Sequence, residues 1–255
     1  MTDLILLHGG QHGSWCWTAL IDALEQNGNS FERIITLDMP GCGTKRGRPV
    51  TELTLSSIVE ELNAELRQLD VHGGLLLGHS IAGVLLPMMA VENPALFGHL
   101  IYLATAVPEE GQSIMQMLGN SRHGEQEGEV GWPLDPLIAS PEQMSVAMFG
   151  ADLDPIQLAW LLGEVAQEIT PPAVAIQPVY RPGYPGLIPS TFILTLRDDI
   201  LPTTWQRRFA QRLHVDSVVE IDSPHEAFLT HPEELAAVIE EVYRTSDSQH
   251  GFITY

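Results

Sequence analysis

The stretch Gly73-Gly74-Leu75-Leu76-Leu77-Gly78-His79-Ser80-Ile81-Ala82-Gly83 decides how the rest of the chain is read. Leu75 to Leu77 form the short apolar run of a buried strand, and Ile81 to Glu92 read as the helix that follows. Ser80 falls at the turn between them. A turn this tight forces the serine into a strained backbone conformation and lifts its Oγ clear of the sheet, over the helix N-terminus. That is a position for a nucleophile. The same spacing also suits an ordinary serine N-cap on a crossover helix, so the pentapeptide needs support from elsewhere in the chain.

On the N-terminal side, Leu4 to Leu7 is an apolar run that breaks into the glycine-rich loop His8-Gly9-Gly10-Gln11-His12-Gly13-Ser14-Trp15, then a helix reaching roughly to Asn27. Arg33 to Leu37 is the next strand, followed by a turn-rich connection carrying the basic patch Lys45, Arg46 and Arg48, whose expected setting is a solvated loop. Apolar residues at Leu55, Ile58, Val59, Leu62, Leu66 and Leu69 make a helical stripe. Beyond the serine, Pro87 predicts a kink in the helix, and Leu100 to Ala104 is another strand. Alternating strands and helices predict a parallel sheet with its site at the strands' C-terminal edge.

From 107 to 187 the alternation stops, with short helical stretches and a proline-rich return. The expected organisation is a core of residues 1–106 and 188–255 with 107–187 inserted as a helical lid. The lid holds Met115, Met148, Phe149 and Trp132, candidates to line an apolar pocket, together with Met117, Met144 and Trp160. The sheet resumes at Thr191 to Leu196 and ends with Val218 to Ile221, and Pro232 opens a final helix to about Arg244. Residues after Thr245 read as a frayed tail.

Ser80, Asp198 and His225 thus follow three strands of one sheet. A serine hydroxyl is a weak nucleophile; an imidazole must take its proton, and a carboxylate must hold that imidazole in the right tautomer. The backbone N–H of Ile81 is a natural oxyanion donor, and the loop at Gly10 supplies a second. His8 and His12 stand in a glycine loop without helical geometry or a third ligand, so no metal site is expected.

The His-Gly-Gly-Gln-His-Gly-Ser-Trp loop, Gly78-His79-Ser80, Asp198 four residues before Pro202, and the His225 turn together resemble the α/β-hydrolase superfamily. Within it they are similar to the branch of plant methylesterases, hydroxynitrile lyases and bacterial esterase relatives. The resemblance covers nearly the whole chain. It implies an α/β fold, a mostly parallel sheet with helices on both faces and a lid, and a serine esterase mechanism without cofactor. It also places oxyanion donors at Gly10 and Ile81 and makes Asp198, not Asp199, the triad acid. Two positions depart from it. Ala82 replaces the second glycine of the serine turn, and Glu226 stands where hydroxynitrile lyases carry a lysine that stabilises cyanide. An acid there disfavours the lyase.

Composition bounds the rest. The 255 residues, 44% hydrophobic, suffice for one large core. A net charge of −21 speaks against nucleic acid or an anionic membrane as partner. Two cysteines make no disulfide framework, and no targeting or spanning segment is seen, so a cytoplasmic setting is expected. The implied partner is a small neutral ester, while a homodimer remains open. The lid's acids, with Arg122 and Arg181 as its only cations, and Glu226 beside the base predict a negative mouth to the site.

Overall fold

The protein is described from a computed structural model covering residues 2–184 and 186–250, with side chains to 246. β1 (Leu4–Leu7) is followed by a 3-10 turn at Ser14–Trp17 and α1 (Thr18–Gln26), and then β2 (Ile34–Leu37) and α2 (Leu55–Gln68). β3 (Gly74–His79) leads through a 3-10 segment, Ser80–Val84, into α3 (Leu85–Glu92), and β4 (Phe97–Leu103) follows. The chain then leaves the sheet and forms α4 (Ile114–Leu118), α5 (Pro141–Phe149), α6 (Pro155–Val165) and α7 (Pro172–Ile176). It returns as β5 (Ser190–Thr195), α8 (Thr203–Leu213), β6 (Ser217–Ile221), α9 (Ala227–Thr230) and α10 (Pro232–His250).

The strands lie in the order β2-β1-β3-β4-β5-β6, and every pairing is parallel. Parallel strands are covered on both faces, which is why they read as apolar runs rather than alternating ones. Successive residues divide between two cores. Leu4 and Leu6 pack with α1 and α10, whereas Ile5 and Leu7 pack with α2, α3 and α8. The second core continues into the inserted helices through Leu161 and Val174.

Local sequence starts those inserted helices cleanly. Ser113, Ser140 and Asp154 each accept a backbone N–H three residues on, and Gln116, Gln143 and Gln157 return the bond to the capping residue. Pro141, Pro155 and Pro172 occupy first turns, where no intrahelical partner is lost.

Two expectations change. The α-helix begins at Leu85 and not at Ile81, so Pro87 falls in its first turn, where N–H groups have no intrahelical acceptor. The last helix passes Arg244 and runs to His250. An Arg244–Glu241 ion pair at 2.6 Å and Thr245 and Ser246 hydroxyls bonded to carbonyls in the preceding turn support the extension. Residues 251–255 of the expected tail lie outside the described residues.

Candidate active site

Ser80 sits at φ 54°, left-handed for a non-glycine residue, at the point where β3 becomes a 3-10 turn. Its carbonyl accepts the Ala106 N–H at 3.0 Å, which ties the turn to the end of β4. Space around it is tight. A Cβ on Gly9 would stand 3.0 Å from Ser80 Cβ and 2.8 Å from His79 Nδ1, so the first loop must carry glycine there. The close helix approach that a second elbow glycine serves falls at Gly83, where a Cβ would stand 2.7 Å from Ala106 O, and buried Ala82 is accommodated.

Asp198 and His225 are brought together, with His225 Nδ1 2.7 Å from Asp198 Oδ2. A carboxylate only accepts here, so Nδ1 carries the proton and Nε2 presents a lone pair. Asp198 is held by Thr195 Oγ1, Gln206 Nε2 and the Ile200 and Leu201 N–H groups, at 2.8 to 3.1 Å. Asp199 is exposed. Burial disfavours the His225 imidazolium, but the charge and hydrogen bond of Asp198, with Glu226 adding, outweigh it and raise the pKa above 6.5. Nε2 makes no hydrogen bond, so Ser80 and His225 are not joined in this conformation. Sequence reasoning missed Gln206, a buried polar residue on α8 whose partners become visible only when the helix docks on β5.

The loop after β1 is fixed from within. His8 Nδ1 donates to Gly9 O at 2.7 Å and Nε2 accepts the Met39 N–H at 3.0 Å, so both nitrogens are committed to backbone. Burial pushes its pKa down to about 4. Asp38 accepts from the backbone and hydroxyls of Ser14 and Thr44. Among the described residues, donor atoms spaced for a metal occur at His79, His225 and Glu226, all buried and including the proposed base.

Gly10, Ser80 and Ile81 floor a cavity of about 400 Å³. Met115, Trp132, Met148 and Phe149 all line it, as do Ile114, Leu118, Met144, Pro171, Ile200 and Leu201. None of its lining residues is ionisable. Trp160 is elsewhere, half-exposed and edge-on to Trp15 at 5.4 Å, and Met117 is buried in the core.

One ground for the expected negative mouth is removed by this geometry, since Glu226 does not face the cavity. Glu226 is 1% exposed and faces His12, with Oε2 3.3 Å from Nε2, and it does not line the cavity. Five of the eleven acids of the inserted segment are in ion pairs: Glu164 and Glu168 with Arg46, Asp152 with Arg197, Glu110 with Arg181 and Glu109 with Arg212. The basic patch is correspondingly no free loop. Lys45 and Arg48 bind Glu61 on α2 while Arg46 reaches across to the inserted helices, contacts that sequence separation hides. Glu168 also accepts from Trp15 Nε1 at 2.6 Å and Gly43 N at 2.8 Å.

A family model described as "Alpha/beta hydrolase family" matches residues 4–238. The chain belongs to the alpha/beta hydrolase family. It is 25% identical to methylesterase 3 of Arabidopsis thaliana, over 94% of this chain and 95% of that protein. It is 24% identical to salicylic acid-binding protein 2 of Nicotiana tabacum, over 93% and 95%. Among solved structures, a pyrethroid hydrolase from Sphingobium faniae JZ-2 superposes with a TM-score of 0.69 at 22% identity, covering 98% of this chain and 99% of that one.

Proposed function

We propose that this alpha/beta hydrolase cleaves carboxylic esters of small to medium, neutral, largely apolar substrates through an acyl-Ser80 intermediate. The observation that carries the reading is a strained serine on the floor of an uncharged cavity, together with a buried Asp198–His225 pair whose Nε2 is bare. Relatives named as methylesterases and a carbendazim-hydrolysing esterase from Nocardioides sp., 28% identical over 46% of the chain, support the same chemistry.

In the proposed reaction, Ser80 Oγ attacks the ester carbonyl while His225 Nε2 takes the hydroxyl proton. Asp198 keeps the other nitrogen protonated and steadies the imidazolium that forms. The charge that develops on the carbonyl oxygen faces the Gly10 and Ile81 N–H groups. Collapse breaks the bond to the alkoxy group, which leaves as alcohol with the proton from His225. Water, deprotonated by the same nitrogen, then releases the acid and restores Ser80.

Residues 107–187 act as the lid that selects the guest. Burying hydrocarbon against Met115, Trp132, Met148 and Phe149 favours apolar groups, and a carboxylate among them would lose its hydration without a partner. Cyanide release is not favoured, since no lysine or arginine lines the cavity to receive the anion. The test is turnover of a panel of aryl and alkyl esters by the wild type and Ser80→Ala. Hydrolysis of neutral members by the wild type alone supports the proposal, and a Ser80→Ala enzyme that keeps its rate overturns it.

A further inference from the structure

A second buried histidine and acid lie against the triad without belonging to it. His12 and Glu226 are each 1% exposed, on the loop after β1 and directly after His225 in the chain. His12 Nδ1 lies 2.8 Å from Gly10 O, which only accepts, so that nitrogen is protonated. Its Nε2 lies 3.3 Å from Glu226 Oε2. A lone pair aimed at a carboxylate oxygen would be repelled, so a proton is shared between them. His12 Nε2 and both oxygens of Glu226 make no hydrogen bond among the described residues, so their 3.3 Å approach is what offsets the burial of the acid.

The pair reaches the oxyanion loop through one peptide. The carbonyl of the Gly10–Gln11 peptide accepts from His12 Nδ1, and its N–H donates to Thr170 Oγ1 at 2.7 Å. Gln11 stands at φ 58°, a conformation that persists only where surrounding bonds impose it. On its other side, Glu226 brings a carboxylate oxygen within 4.8 Å of ring nitrogens of His225 and His79.

We propose that His12 and Glu226 form a proton-sharing positioning pair, which holds the Gly10 loop for the oxyanion and balances the charge beside His225. This rests on Ser80 and His225 being nucleophile and base. The other groups facing the pair are accounted for. His79 from β3 and His8 from the loop after β1 are kept neutral by burial, and so is the Cys16 thiol. Asp38, just after β2, is occupied by Ser14 and Thr44, Glu168 by Arg46 and Trp15, and Asp198 lies on the far nitrogen of His225.

The test measures kcat, KM and the pH dependence of kcat/KM on a neutral ester for the wild type, Glu226→Gln, Glu226→Asp and His12→Asn. Glu226→Gln removes a negative charge that favours the His225 imidazolium, so the acidic limb moves to lower pH by about one unit. His12→Asn keeps an amide donor for Gly10 O but leaves Glu226 unpartnered, so the limb moves to higher pH by about as much. Glu226→Gln also lowers kcat by about tenfold or more with KM changed less than about threefold, because an oxyanion donor acts on the transition state. Glu226→Asp retains the charge and keeps the wild-type limb. A packing role would not produce shifts of opposite sign, and should Glu226→Gln fail to fold, the other two variants carry the test. If the wild type is active and labelled at Ser80 by a fluorophosphonate while Glu226→Gln and His12→Asn, or whichever of the two folds, share its limb, the pair is structural and the proposal is overturned. A wild type that neither labels nor turns over esters removes the underlying reading, and the proposal with it.

Discussion

The C-terminal edge of the sheet and the segment inserted between β4 and β5 face each other across one cavity, and they contribute opposite chemistry to it. At the sheet edge two acids are held by several bonds: Asp198 by four groups besides His225, Asp38 by two residues' backbones and hydroxyls. The inserted segment offers the cavity thioethers, an indole and a phenyl ring, and none of its charged residues lines it. In the proposed reaction the edge carries the reactive groups, and the adaptable apolar side chains of the insert select the guest. Changes at the edge should strike kcat, whereas changes in the insert should strike KM and stability.

The sharpest break comes from the edge. Ser80→Ala and His225→Ala should each lower kcat by roughly four to six orders of magnitude, and the double change should add little, because the two act as a unit. Steady-state rates on one neutral ester check this, and additive losses would contradict it.

Next comes the neighbouring pair of aspartates. Asp198→Asn should cost about a thousandfold or more and move the acidic limb of kcat/KM to lower pH, since Asp198 raises the His225 pKa. The sign follows from Asp198 favouring the protonated imidazole: without that charge His225 gives up its proton more readily and becomes a free base at lower pH. Asp199→Asn should leave both quantities near wild type.

On the insert side the effects are smaller and of another kind. Trp132→Ala should raise KM for a bulky neutral ester by about tenfold while kcat changes little. Adding a carboxylate to that ester should raise KM strongly, and salt should recover little of the loss, since the penalty is desolvation in an uncharged cavity and not a long-range field. Recovery of most of the affinity at high ionic strength would support the negative mouth that the acidic composition suggested.

Smallest is the seam between the two regions. Glu168 accepts from Trp15, Gly43 and Arg46, so Glu168→Gln should weaken the fold by on the order of 2 kcal/mol. That corresponds to a fall in Tm of about 4 to 8 °C, readable by circular dichroism.

The same contrast governs what could be read from sequence. The strands were legible because a parallel sheet buried on both faces needs unbroken apolar runs such as Leu4 to Leu7 and Leu75 to Leu77. The serine turn was legible because small residues must surround it. What escaped was set by tertiary distance. Nothing local says that Arg46 reaches Glu164 and Glu168, or that Gln206 holds Asp198. Glu226 follows His225 in the chain, yet its side chain turns inward to His12, a choice fixed by the loop after β1. Met117 and Met115 lie two apart on α4 and end in different places, one in the core and one on the cavity, because the short helix presents them to different faces.

The most direct measurement of the central claim is the mass of the intact protein, followed by peptide mapping, after reaction with a fluorophosphonate, alongside residual ester hydrolysis. The account predicts one adduct per chain, located on Ser80, with activity lost in proportion to labelling and with no adduct in Ser80→Ala. Ester turnover that persists in fully labelled protein, or an adduct on another residue that accompanies the loss of activity, would contradict it.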